Sequence, residues 1–503
     1  MASDDELRGL AAGVLLPGFA GKRAPRWVED ALREGLRGVC IHGENTGTGT
    51  QLRTLGQQLR AAGARVIAVD EEGGDVTRVH YRTGSPEPGN CILGRVDSVA
   101  QTRVSAARIA AELADLGFTL VLGPVADINS VADNPVIGTR SFGSDAGLVA
   151  RHTAAWVRGA QEVGIAACAK HFPGHGATST DSHHTRPIVD VDPVLLRERE
   201  LAPFRAAIEA GVATVMTSHV VVPSAGPEPA TFSSVLLQDV LRGELGFEGA
   251  IVSDALDMVG ASGDCGIPEA SVRALLAGCD LLLLGTSRSS SIYHHVVDAI
   301  VAAVRSGTLP LARLESAYAR AEVLAAMVGR AGGAGPSTGG ATDQQPDRDS
   351  LRRWQRSFEV SAAGRQWLDD PRPARLHQVE GVSNPAAGVA PWGPLLLGDR
   401  MPGGLTSGAA GGVADGSADG SADGVANGSA DESAHDVKVA VVSRNITPSD
   451  PAAVLAEQLR ASGVLTVLID CGWPRMPVDI ATYGGSAAVA HALADLCGWV
   501  SRG

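Results

Sequence analysis

The chain has 503 residues, 44% of them hydrophobic and 19% charged, with 62 glycines. That is room for two or three domains with cores of their own, and far too long for a miniprotein stapled by disulfides. A formal charge of −14 offers no basic field to phosphates, which argues against nucleic acid or an anionic membrane and favours a small neutral or cationic ligand.

The opening segment MASDDELRGL is acidic where a secretory signal is basic, and the apolar run behind it is broken by Pro17 and Gly18. No apolar stretch approaches the roughly 18 residues that span a bilayer, so the expectation is a soluble, cytoplasmic protein. The seven cysteines, an odd number scattered singly, read as buried thiols of a reducing compartment. Lysine occurs only at 22, 170 and 438 among many arginines, which draws attention to Lys170.

Eight apolar runs have strand character: Leu10 to Phe19, Leu36 to His42, Arg65 to Asp70, Phe118 to Ile128, Ile165 to His171, Ala213 to Val220, Ala250 to Asp254 and Asp280 to Gly285. Between them lie amphipathic helical stretches such as QLRTLGQQLRAAG and RVSAARIAAELADLG, several closed by glycine. Eight β/α repeats in this length predict an α/β chain opening with a TIM-type (β/α)8 barrel. The rival, a doubly wound open sheet, lacks a GxGxxG after the first strand. The barrel is expected over residues 1–330, and the Gly, Pro and polar run at 331–350 reads as a linker. Residues 351–503 again alternate strand and helix, as a smaller α/β sandwich. Its low-complexity insert at 404–434 is too poor in apolar residues to offset its ordering entropy.

Catalytic groups of such barrels sit at the carboxyl ends of strands. Those ends carry Asp70, Asp127 with Arg140 beyond it, Lys170 and His171, Ser218 and His219, and Ser253 with Asp254. The loop KHFPGHGATSTDSHH, Lys170 to His184, is the densest, and its Gly and Pro residues suggest a mobile segment that brings a titratable group to a bound substrate. Four imidazoles and Asp181 could ligate zinc, but the spacing is not HExxH and the lysine repels a cation. Asp181 and His183, two apart in an extended segment, share a side, so the carboxylate can orient the imidazole and raise its pKa. Asp254 ends an apolar run. It is either a helix N-cap or an anionic nucleophile, and a nucleophile facing a protonatable imidazole across a sugar-sized cleft suits retaining glycoside cleavage.

The motifs KHFPGHG followed by DSH, DEEGGDVTR, VIGTRSF and SDAL resemble glycoside hydrolase family 3, in its bacterial β-N-acetylglucosaminidase branch of two-domain type. The resemblance covers residues 8 to 330. It implies Asp254 as nucleophile, His183 as acid/base oriented by Asp181, and sugar contacts from Asp70, Arg78, Arg140, Lys170 and His171. It implies hydrolysis of terminal GlcNAc from peptidoglycan-derived saccharides, with no metal or organic cofactor and a small GlcNAc-containing saccharide as substrate. A phosphorylase is the nearest alternative, because a neutral imidazole repels phosphate less than a carboxylate does. A β-glucosidase is further off, and a non-catalytic carbohydrate-binding barrel further still. Glu71 and Asp75 depart from the family's usual Gln and Arg, and are expected to make the rim more negative. Because the site residues fall between Asp70 and Asp254, the barrel is expected to carry its own active site.

Overall fold

The computed structural model describes residues 2–180, 186–263, 265–286, 289–331, 346–381, 386–388, 390–400 and 437–499. The chain divides into two compact units, Met1–Gln345 with Asn384–Pro391, and Pro346–Ser383 with Trp392–Gly503. Residues 384–391, placed by the sequence in the second region, thus group with the first. Most of the expected linker and all of the 404–434 insert lie outside the described residues.

The first unit holds eight strands: β1 (Leu15–Leu16), β2 (Gly38–Ile41), β3 (Val66–Val69), β4 (Leu120–Val121), β5 (Ala166–Phe172), β6 (Thr214–Thr217), β7 (Ala250–Val252) and β8 (Leu282–Leu283). Strands β2 to β7 pair in sequence order, all parallel. β1 pairs with β8 in the register Leu15 opposite Leu282. A parallel bridge from Val252 to Leu281 joins β7 to β8, and the Cys40 N–H donates to the Pro17 carbonyl at 3.0 Å to join β1 to β2. The ring is therefore closed, an eight-stranded parallel barrel.

The strand expected over Leu10 to Phe19 is shorter than its apolar run. Ser3 Oγ accepts from the Glu6 N–H and the Glu6 carboxylate accepts from the Ser3 N–H, a capping box that starts a helix over Asp4–Gly13. Only Leu15–Leu16 remain extended. Strands β2, β3 and β7 stop directly before the polar residues His42, Asp70 and Ser253, while Lys170 and His171 lie within β5 near its carboxyl end.

Strand periodicity of two sorts the core. Val66 and Ala68, Leu120 and Leu122, Ala166 and Cys168, Ala250 and Val252 form one buried cluster with Ala321, Leu324, Ala325 and Val328. The latter four recur at helical spacing on Leu311–Ala331, so this helix meets the barrel's inward-facing residues. The alternate strand residues, such as Val39, Ile41, Ile67, Val69, Val215 and Ile251, pack in the larger cluster with the surrounding helices. Before β8, the buried Asp280 forms ion pairs with Arg242, Arg313 and Arg320, tying the end opposite the site.

The second unit is a five-stranded sheet of β9 (Glu359–Val360), β10 (Ala374–Gln378), β11 (Lys438–Ser443), β12 (Leu465–Asp470) and β13 (Ile480–Ala481), in the order β10-β11-β12-β13-β9. Only β9 is antiparallel. Val439, Val441 and Leu468 pack with Ala452, Ala453 and Ala456 of the helix Pro451–Ala461, while Ala440, Val442, Val467 and Ile469 are buried as well. A sheet buried on both faces is what the near-continuous apolar runs of β11 and β12 encode.

Candidate active site

At the carboxyl rim of the barrel a cavity of about 420 Å³ is bordered by Asp70, Glu72, Arg78, Arg140, Lys170, His171, His175, Asp254 and Asp257, with His42, Met216, Met258 and Ala386 among its other walls. Its size suits one small ligand.

The wall contributed by β3, β5 and the segment after β4 is an ion network. Lys170 Nζ lies 2.7 Å from Asp70 Oδ1 and 2.7 Å from Glu72 Oε1. Arg140 grips Glu72 with two nitrogens, at 3.0 Å and 2.8 Å, and its third donates to the Val136 carbonyl. Both Lys170 and Glu72 are about 2% exposed in their side chains, and a charge buried so deeply persists only with such partners. Burial opposes the charge on Asp70, but Lys170 and then Arg78 outweigh it and hold the carboxyl below its usual range. Burial likewise opposes the Lys170 ammonium, and Asp70 and Glu72 reverse the balance and raise its pKa. For Glu72, Arg140 and Lys170 overcome burial and lower it.

His171 continues this wall. Its Nδ1–H donates to Asp127 Oδ2 at 2.7 Å, since an ionised carboxylate only accepts, and Arg140 Nη2 approaches Nε2 at 3.4 Å. Asp127 also accepts the backbone N–H groups of His171 and His175. Burial disfavours the Asp127 charge, and the neighbouring His171 overrides it. His175 is pushed down to about 4 by burial, so it is neutral at pH 7.

The start of the Lys170 to His184 loop packs into the barrel. Residues Lys170 to Gly176 are all buried. A Cβ on Gly176 would lie 1.7 Å from the Ile128 carbonyl oxygen, so that glycine serves close packing of backbones. Asp181 and His183 lie outside the described residues.

Asp254 follows β7, lines the cavity, and accepts the Ala255 N–H on Oδ1 at 2.8 Å. Its own N–H donates to Thr217 Oγ1 at 3.3 Å, fixing the turn out of the strand. Arg78 reaches the same cavity: Nη2 lies 3.8 Å from Asp70 and donates to the Ala386 carbonyl at 2.8 Å, while Nη1 is buried without a hydrogen-bond partner. Ala386 lies well beyond the span expected to hold the whole site.

The structure thus assembles Asp70, Arg78, Arg140, Lys170, His171 and Asp254 around one cavity. Glu71 is different: it is 3% exposed, accepts the Arg78 and Val79 N–H groups, and is held above its usual pKa by burial. It braces its own loop and is not among the residues that border the cavity. Asp75 accepts from the Thr139 hydroxyl at 2.8 Å. Behind this loop, the Gly74 N–H donates to the Glu87 carbonyl, and the buried Glu87 carboxylate accepts from Ser105 Oγ at 2.5 Å. Burial raises Glu87 to about 7. Sequence reasoning missed Glu72, whose signal was its place between Asp70 and the two glycines. It also missed His42 and Asp257, which carry no motif.

The profile of the Glycosyl hydrolase family 3 N terminal domain matches residues 17–324. The chain belongs to glycosyl hydrolase family 3. A beta-hexosaminidase of Stenotrophomonas maltophilia is 37% identical over 311 residues, covering 60% of this chain and 90% of that protein. One from Vibrio cholerae is 38% identical over 258 residues, covering 51% and 77%. Among solved structures, a glycoside hydrolase family 3 beta-N-acetylglucosaminidase from Paenibacillus matches with a TM-score of 0.79 and 28% identity, covering 98% of this chain and 97% of that one. NagZ from Neisseria gonorrhoeae matches with a TM-score of 0.52 and 30% identity, covering 62% and 98%. The family 3 barrel and its carboxyl-rim cavity are those of a glycoside hydrolase, and the chain is one. Among the described residues no helix is long and apolar enough to cross a membrane.

Proposed function

We propose that this family 3 enzyme is a retaining, exo-acting β-N-acetylglucosaminidase that releases terminal GlcNAc from peptidoglycan-derived saccharides. The observation that carries the reading is Asp254 at the end of β7, bordering the same cavity as the Asp70, Lys170, Glu72, Arg140 and His171 wall. That wall presents fixed donors and acceptors to sugar hydroxyls, and its rigidity fixes the sugar relative to the carboxylate. Asp254 attacks the anomeric carbon to form a glycosyl-enzyme while His183, oriented by Asp181, protonates the leaving oxygen. The same imidazole then deprotonates the water that releases the sugar with net retention. No cofactor enters either step. The names of the hexosaminidase relatives and of the Paenibacillus structure support the choice of sugar. The odd number of singly scattered cysteines supports a reducing, cytoplasmic setting.

A fluorinated GlcNAc donor that traps the intermediate tests this directly. The expected result is a mass increase on the peptide containing Asp254, with β-configured GlcNAc as the first product by NMR. A label on Asp257, or an inverted product, overturns the nucleophile or the mechanism. Products from GlcNAc-anhydro-MurNAc with and without phosphate are expected to be free GlcNAc in both cases; GlcNAc phosphate would make the enzyme a phosphorylase.

A further inference from the structure

The rest of the cavity wall is built by the turns after β7, β8 and β2. Two of the polar side chains there are His42, the first residue after β2, and Asp257, beyond β7, both bordering the cavity and outside the ion network. His42 Nε2 is shielded from solvent and has no hydrogen-bond partner among the described residues. Asp257 Oδ2 accepts the Thr286 N–H at 2.7 Å and the Thr286 hydroxyl at 3.0 Å. Its Oδ1 accepts no hydrogen bond among the described residues.

Both side chains are held in place by their surroundings. The His42 N–H donates to Asn45 Oδ1 at 2.9 Å, and Asn45 Nδ2 donates to the Phe19 and Gly21 carbonyls at 2.8 Å and 2.7 Å. Two glycines leave the room they occupy. A Cβ on Gly18 would sit 3.0 Å from the His42 ring, and one on Gly285, whose φ is +74°, would sit 1.8 Å from Asp257 Oδ1. A buried polar atom without a partner is a free-energy loss in the empty protein, and such atoms in native structures call for an explanation.

We propose that His42 and Asp257 form a second sugar-gripping pair. One hydroxyl of the terminal sugar donates to Asp257 Oδ1 and is bonded by His42 Nε2 after a small turn of the ring about Cβ–Cγ. A hydroxyl fits because it donates and accepts at one atom. The proposal rests on the glycosidase reading of the cavity and deepens it: the sugar is held from both sides, so removal of the gripped hydroxyl is penalised by two unpaired groups.

The test uses the full-length protein, aryl β-GlcNAc and its 3-, 4- and 6-deoxy analogues, with His42→Phe, His42→Gln and Asp257→Ala. Thermal unfolding confirms that each variant folds. His42→Phe is expected to lower kcat/KM on the parent sugar roughly 10- to 100-fold, mainly through KM, and His42→Gln to recover much of that loss. With one deoxy analogue, and the same one for His42 and Asp257, the variants should fall no further below wild type, because the partner is already gone. Unchanged kcat/KM for His42→Phe, or equal losses on every analogue, overturns the pair while leaving the glycosidase reading intact. Titration of free GlcNAc reads binding without turnover. If wild type neither turns over the parent glycoside nor binds GlcNAc, the choice of sugar fails, and this proposal with it.

Discussion

The two halves of the cavity are built on opposite principles. On the β3 to β5 side, Lys170, Glu72, Asp70 and Arg140 satisfy one another before any ligand arrives. On the β7 to β2 side, among the described residues, His42 Nε2 has no partner and Asp257 uses only one oxygen. The first half is a rigid frame that loses stability when a member is removed, and the second is a surface whose hydrogen bonds are completed by what binds. Asp254 stands between these two kinds of wall.

Removing the reacting group should have the largest effect. Asp254→Asn is expected to cut kcat on an aryl β-GlcNAc by at least about 1,000-fold with the Tm little changed, because the proposed nucleophile is lost while the neighbouring backbone bonds survive. Residual activity near wild type would place the nucleophile elsewhere. Lys170→Met strikes the frame instead. It leaves two carboxylates facing each other without their shared cation, and a stability loss of roughly 3–5 kcal/mol is expected together with a fall in kcat/KM. Denaturant unfolding reads the first effect and steady-state kinetics the second. A variant as stable as wild type would mean that Arg140 and Arg78 alone can hold Asp70 and Glu72.

The cavity wall from beyond the barrel sharpens the comparison further. Deleting residues 386–388 removes the Ala386 carbonyl that accepts from Arg78. Freed to swing, Arg78 should raise KM roughly 10-fold or more, on the order of one lost charged hydrogen bond, with a smaller change in kcat. An unchanged KM would show that Asp70 fixes Arg78 unaided.

The smallest effect concerns pH. Glu87 keeps its proton in the folded state up to about 7 because it is buried, whereas in the unfolded chain it ionises near the ordinary glutamate value of about 4.3. Between those values the unfolded state binds fewer protons, so stability falls as pH rises, by roughly 4 kcal/mol at most from this group. Glu87→Gln should flatten the curve of unfolding free energy between pH 5 and pH 8. The same slope in the variant would assign the pH dependence to His80 and Glu112, which also pair behind this loop.

The barrel was legible because its strands are apolar runs that end on polar residues, so the period and the stops agree. Its first strand was overdrawn because Leu10 to Gly13 are equally apolar in a helix, and the decisive signal was the Ser3 and Glu6 cap upstream. Asp70, Arg140, Lys170 and Asp254 could be found from strand ends and motifs. Glu72 could not be separated from Glu71 by sequence, since only the pleat and the turn decide which of two adjacent carboxylates enters the cavity. Ala386 was invisible because it acts through its backbone, which every residue possesses.

Gly176 carries a consequence for how this enzyme tolerates change. Its backbone lies so close to the Ile128 carbonyl that no side chain fits, which ties the base of the segment leading to Asp181 and His183 to the chain leaving β4. In libraries randomised at position 176 and, separately, at position 21, survivors should keep glycine at 176 almost without exception, whereas at Gly21, where no atom stands within 4 Å of a would-be Cβ, residues that accept a left-handed backbone, such as asparagine, should also be recovered. Hydrogen exchange should show the same tie, with the buried amides up to 176 exchanging with the barrel core.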